Sequence, residues 1–97
     1  MKKDIVKFVE VHETISFKTD FALRAIYISR DHIVSFREDA VMKERHAEGK
    51  LPEGILAEQQ FTKLELSSGS SHGRYVVVVG SPEMVAQKLN LGERNVI

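Results

Sequence analysis

Residues 74–91 read RYVVVVGSPEMVAQKLNL, and this stretch decides the fold. Tyr75 to Val79 are β-formers without a break. Valine is branched at Cβ and stiff at χ1, so such a run favours extended backbone. A half-exposed strand would alternate, so a continuous apolar run predicts a strand covered on both faces. Gly80 permits a bend. Ser81 is a natural N-cap, because its hydroxyl can accept from an orphan N–H of the first turn. Pro82 suits the first helical position, and Glu83 complements the positive end of the helix dipole. Val85 and Leu89 then share one face, with Met84 and Ala86 beside them. The spacing predicts a helix over about 82–90, with Asn90 or Gly92 ending it. So short a helix is unstable alone and must lie on the sheet it follows.

The whole chain has 97 residues, the length of one domain with a modest core. It is 42% hydrophobic and 29% charged, with no net formal charge, which argues against broad attraction to nucleic acid or anionic lipid. There is no cysteine, which excludes disulfides and thiolate chemistry and fits a reducing compartment. The opening MKKDIVKFVEV is interrupted by Asp4, Lys7 and Glu10, so it reads as neither a signal peptide nor a membrane span. Cytoplasm is the expected location.

Working outward, Lys3 to His12 is a first strand with Ile5, Val9 and Val11 on one face, Lys7 among them, and Val6 and Phe8 on the other. Thr14 to Lys18 alternates, with Ile15 and Phe17 together, and is expected to return as a hairpin. Thr19 to Leu23 reads as a helical turn or a loop. Arg24 to Ser29 is a strand, Arg30-Asp31-His32 a turn, and Ile33 to Arg37 a strand with Val34 and Phe36 on one face. Residues 39–60, DAVMKERHAEGKLPEGILAEQQ, break this pattern. Ala40 to Glu48 favours helix, and Gly49, Pro52 and Gly54 interrupt it. So long an insertion in a meander is expected to be a mobile or partly helical segment, or a binding loop. Phe61 to Leu66 is a strand with Leu64 and Leu66 inward. The Ser/Gly stretch at 67–73 connects it to Tyr75, and 93–97 reads as a frayed tail. The fold class is α+β: an antiparallel β-meander of five to six strands followed by one C-terminal helix, able to curl into a half-barrel. Residues 1–97 form a single domain.

Three segments carry a family likeness: IYISRDHIVSF at 26–36, FTKLELSSG at 61–69 and YVVVVGSPEMVAQKL at 75–89. Together, over residues 26–90, they resemble the small FlbD-like bacterial flagellar proteins. The likeness rests on Ile28, Ile33, Thr62, Leu64, Leu66, Gly69, Val76, Val78, Val85 and Leu89. It implies a meander ending in a helix, and a flagellar role. The segment before Ala25 has no counterpart in that pattern, and 39–60 stands where a short turn belongs. No binding residues carry over.

Candidate chemistry is sparse. Glu10 and His12 share a strand face, but a zinc site needs three or four converging ligands. Asp31-His32 could orient an imidazole, yet neighbours on a strand face opposite ways and Asp in a turn usually bonds backbone. Ser67 to Gly73 lacks the Lys-Ser/Thr and helix of a phosphate loop. Gly80-Ser81 is a better anion site, although Ser81 more simply satisfies the helix start itself. Arg24, Arg30, Arg37 and Arg74 would bind phosphates only if clustered, and aromatics are too few for stacking platforms. No catalytic residue, metal or cofactor is expected.

The apolar surplus says more. The strands at 3–12 and 75–79 look apolar on both faces, and a nine-residue helix cannot cover both. Sheet curling, the 39–60 segment or another subunit must cover the second face. The expected function is a non-enzymatic binding or scaffolding module acting as a homo-oligomer, a dimer most simply, with a possible protein partner. The alternative is a small-ligand-binding or enzymatic domain with a pocket between the sheet and the 39–60 loop. His46, Glu44, Arg74 and Ser81 are the possible ligand or partner contacts. A pleckstrin-homology-like barrel is a third reading, from element order and length alone. No membrane contact is expected, and nucleic acid is disfavoured.

Overall fold

A computed structural model describes residues 5–14, 20–68 and 72–89. The elements, in chain order, are β1 (Ile5–Glu13), β2 (Phe21–Ser29), β3 (Ile33–Glu38), α1 (Ala40–Ala47), β4 (Phe61–Leu66), β5 (Tyr75–Val79) and α2 (Pro82–Lys88). The fold is α+β, a five-stranded antiparallel sheet with two helices, and the C-terminal helix stands where the Ser-Pro-Glu signal placed it. The expected strand at 14–18, the tail at 93–97 and the helix end at Asn90 or Gly92 fall mostly or wholly outside the described residues.

Strand order is β2-β1-β5-β4-β3, with every neighbouring pair antiparallel. Following the pairing directions, β2 and β3 run the same way on opposite edges. Yet only a 3-10 turn, Arg30–His32, separates them. In a flat sheet, four inter-strand steps would hold those edges roughly 19 Å apart. A three-residue 3-10 turn rises only about 6 Å. The sheet must therefore bend until the end of β2 lies beside the start of β3, and residues 21–38 form one bent ribbon along two edges that remain unpaired with each other. Its first half pairs with β1 and its second half with β4.

Inside the curl lie Val6, Phe8, Ile26, Ile28, Leu64, Leu66, Val76 and Val78, and α2 closes over them with Val85 and Leu89. Ser81 caps this helix, its hydroxyl accepting from the Met84 N–H at 3.1 Å. Gly80 takes φ +129, in the region that favours glycine, where the chain turns from β5 into the helix. Lys88 reaches back from α2 to the Lys7 carbonyl at 3.0 Å.

The outer face carries a second core. Val11, Met42, Leu51 and Phe61 are buried together, with Phe21, Ile55, Val77 and Val79 packed around them. The 39–60 segment thus lies over the outer face at the β4–β5 end, and β5 is apolar on both sides because both sides are covered. Asp39 starts α1 by accepting from the Met42 N–H at 3.1 Å. The Lys50 carbonyl accepts from the Phe21 N–H at 3.2 Å, fastening the segment to the start of β2.

Several local expectations change. β1 pairs with β2 over its whole length, from Ile5–Ser29 to Glu13–Phe21. Phe21 to Leu23 are strand, because ladder bonds to β1 outweigh the weak capping signal at Thr19-Asp20. Val34 and Phe36 do not share a face. A register shift between Ile33 and Ser35 makes Val34 a bulge, 61% exposed, while Phe36 packs on the inner core. No described helix is long and apolar enough to cross a membrane.

Candidate functional site

The four contact residues singled out from sequence do not converge. His46 and Glu44 stand on α1. Arg74 precedes β5 and Ser81 follows it, so those two lie a strand's length apart, roughly 20 Å. His46 has a structural partner on each side: its Nε2–H donates to the Leu56 carbonyl at 2.8 Å, and its ring stands edge-on to Phe61 at 5.8 Å between centroids. It pins the 51–60 turn to α1. Glu44 is exposed, with its carbonyl accepting from the Glu48 N–H within α1's last turn. Ser81 is engaged in its cap and borders a hollow of about 410 Å³ beside Leu56 and Met84.

The other sequence candidates also find bonds. Glu10 pairs with Arg24 at 2.8 Å. His32 Nδ1 and Ser67 Oγ share a hydrogen bond of 2.7 Å, and the Ser67 N–H donates to the His32 carbonyl at 2.8 Å. His32 is thus oriented by a serine from a distant loop, and the pair ties the β2–β3 turn to the end of β4. Among the described residues, no three His, Asp or Glu side chains are grouped to hold a metal ion. Between the sheet and the 39–60 segment the space is filled by the second core. At its margin lies a shallow hollow of about 400 Å³ where Glu13 and Asp20 face Arg45 and Lys50.

Arg74 belongs to a different constellation, on the outer face of β3–β4–β5. Along β4, Lys63 and Glu65 point outward, opposite Arg37 and Ser35 of β3 and Val77 and Tyr75 of β5. Tyr75 is 48% exposed. Lys63 Nζ lies 4.9 Å from its ring centroid, and the Arg74 guanidinium carbon 5.9 Å. Both distances suit cation–π attraction. Arg37 is cross-strand partner to Lys63, which brings like charges side by side. The Ser35 hydroxyl donates to the Glu65 carboxylate at 2.9 Å. Two hollows meet at Glu65: one of about 430 Å³ bordered by Val34, Ser67, Ser68 and Arg74, and one of about 120 Å³ bordered by Arg37, Lys63 and Tyr75.

The sequence offers Arg74 as a possible contact, and Arg37 and Arg74 as anion ligands if clustered, but not the groove that they border. Arg37, Lys63 and Tyr75 are separated by 12 residues or more, and only register brings them together. The available signal was the outward parity of Lys63 and Tyr75 in strands whose alternate residues are apolar. In comparisons with known proteins, no family model, curated protein or solved structure matches this chain.

Proposed function

We propose that the chain is a small non-enzymatic binding or scaffolding module that acts in the cytoplasm as a homo-oligomer, in the simplest case a twofold dimer. The observation that supports this is an apolar strip on the outer face of β1 and β2. Ile5, Val9, Leu23 and Tyr27 are 51%, 39%, 37% and 57% exposed with both helices in place. The register makes the strip contiguous: Lys7 lies opposite Tyr27, Val9 opposite Ala25 and Val11 opposite Leu23. Soluble monomers rarely leave such a patch open.

A second copy is the occupant that fits. The strip borders β2, an edge strand of nine residues. β2 contains no lysine and no proline, the usual devices against edge pairing. Its one charge, Arg24, already pairs with Glu10. A twofold axis beside β2 sets the apolar residues of the strip against their own copies, with Lys7, which stands among them opposite Tyr27, as the one charge the interface must accommodate.

Light scattering after size exclusion tests the reading. The full chain is expected at twice its 11.0 kDa mass. Tyr27→Glu combined with Val9→Glu is expected to give a folded monomer, because both side chains point outward. A full chain that stays monomeric at about 100 µM, where a micromolar dimer would be mostly assembled, sinks it.

A further inference from the structure

The geometry points to the β3–β4–β5 groove as a binding site for an extended acidic peptide from a partner protein, separate from the oligomer strip. Charge complementarity carries this. Three cations, Arg37, Lys63 and Arg74, border the groove against one carboxylate, Glu65. Arg37 and Lys63 stand opposite each other in the ladder, and among the described residues neither forms an ion pair. Like charges directly opposed destabilise a sheet. An anion between them reverses the sign of that contact.

The site is also ordered in advance. Long basic side chains lose much rotamer freedom on binding. Here Tyr75 holds Lys63 and Arg74 over its ring, so part of that loss is already incurred in the free protein. Ser35 holds Glu65 in the same way. The Val34 bulge adds an exposed apolar side chain, and Ser67 and Ser68 add hydroxyls along the groove. β3 is an edge strand, so an extended segment has a backbone ladder beside the cations.

These features favour a peptide over single-stranded nucleic acid. Bases bind by stacking on aromatic faces. Of the two aromatics bordering the groove, Phe36 packs on the inner core and Tyr75 already has cations against its ring. Glu65 in mid-groove opposes a continuous run of phosphates but can accept a peptide N–H. The chain's zero net formal charge gives little long-range attraction to a polyanion.

The test is fluorescence anisotropy on the full chain with a fluorescein-labelled octapeptide of alternating glutamate and valine. The comparison probes are an alternating lysine–valine octapeptide and oligothymidylate. The glutamate peptide is expected to bind, and to weaken by about tenfold or more in the Arg37→Ser, Lys63→Ser double variant. Raising salt from about 50 mM to about 500 mM is expected to weaken it too. Lys43→Ser, an exposed cation on α1, is expected to leave binding unchanged. If the double variant does not fold by circular dichroism, Arg74→Ser serves in its place. The inference is overturned by no binding of the glutamate peptide, by equal loss in Lys43→Ser, by an unaffected groove variant, or by oligothymidylate binding as tightly with the same sensitivity. None of these outcomes bears on the oligomer strip.

Discussion

Thr62 is a polar side chain with no solvent exposure, between the two cores. Its hydroxyl donates to the Gly80 carbonyl at 2.8 Å, and the Gly80 N–H donates to the Gln60 carbonyl at 2.9 Å. Both bonds lie where the chain leaves β5 with a positive φ, so they fix the direction in which α2 sets out. Thr62→Val keeps the shape and leaves a buried carbonyl short of a partner. It is expected to cost about 1–3 kcal/mol in urea unfolding, with Thr62→Ser recovering most of the bond. A Val variant as stable as the parent would show that this carbonyl is satisfied in another way. Sequence shows a threonine at an inward position of β4, but not the carbonyl it meets 18 positions later. At this scale, what was legible was local. Ser81 is the N-cap its neighbours announced, because capping needs only the next turn of chain. His46 was expected as a possible ligand or partner contact, and its actual partners, Leu56 and Phe61, come from tertiary packing.

At the scale of elements, strands with strong β-branched runs were readable, and the valine strand with its helix stood out most. The bulge at Val34 was not, since alternation in the sequence continues through it and only β4's register imposes the extra residue. The start of β2 was missed for a related reason: Phe21 to Leu23 carry no turn or cap signal stronger than the ladder that β1 offers them. The 39–60 segment was visible as an interruption, but its use was not. Its apolar residues are scattered as Met42, Leu51 and Ile55, and only folding gathers them over Phe61 and Val77. Replacing residues 40–59 by a short Gly-containing turn is therefore expected to strip the second core. Phe61, Val11, Val77 and Val79 would lose a cover. The loss of the buried Met42 and Leu51 side chains alone is worth about 4–8 kcal/mol, comparable with the stability of a whole domain. The shortened chain is expected to be aggregated or to lose cooperative unfolding. A soluble variant with an unchanged melting transition would show that the segment is not part of the core.

For the whole molecule, the decisive feature is that two edges of one sheet are joined by the three-residue turn at Arg30–His32. That connection forces the curl, the curl makes an inside for α2 to close, and part of the outside is covered by the 39–60 segment. The surplus of apolar surface was legible in sequence because β1 and β5 carry it on both parities. How it divides was not. The β5 share is covered within the chain, whereas the β1–β2 share at Ile5, Val9, Leu23 and Tyr27 stays open. In the homo-oligomer proposed above, this open strip is where copies meet. The chain has no cysteine, so a single introduced thiol reports on one place. Ala25→Cys sits within the strip, opposite Val9, and Val34→Cys sits on the β3 bulge, away from it. The measurement is the rate of maleimide labelling of each variant as protein concentration rises. Labelling at residue 25 is expected to slow as copies assemble, while labelling at residue 34 keeps its rate. Slowing at 34 with no change at 25, or no change at either position, would contradict that proposal.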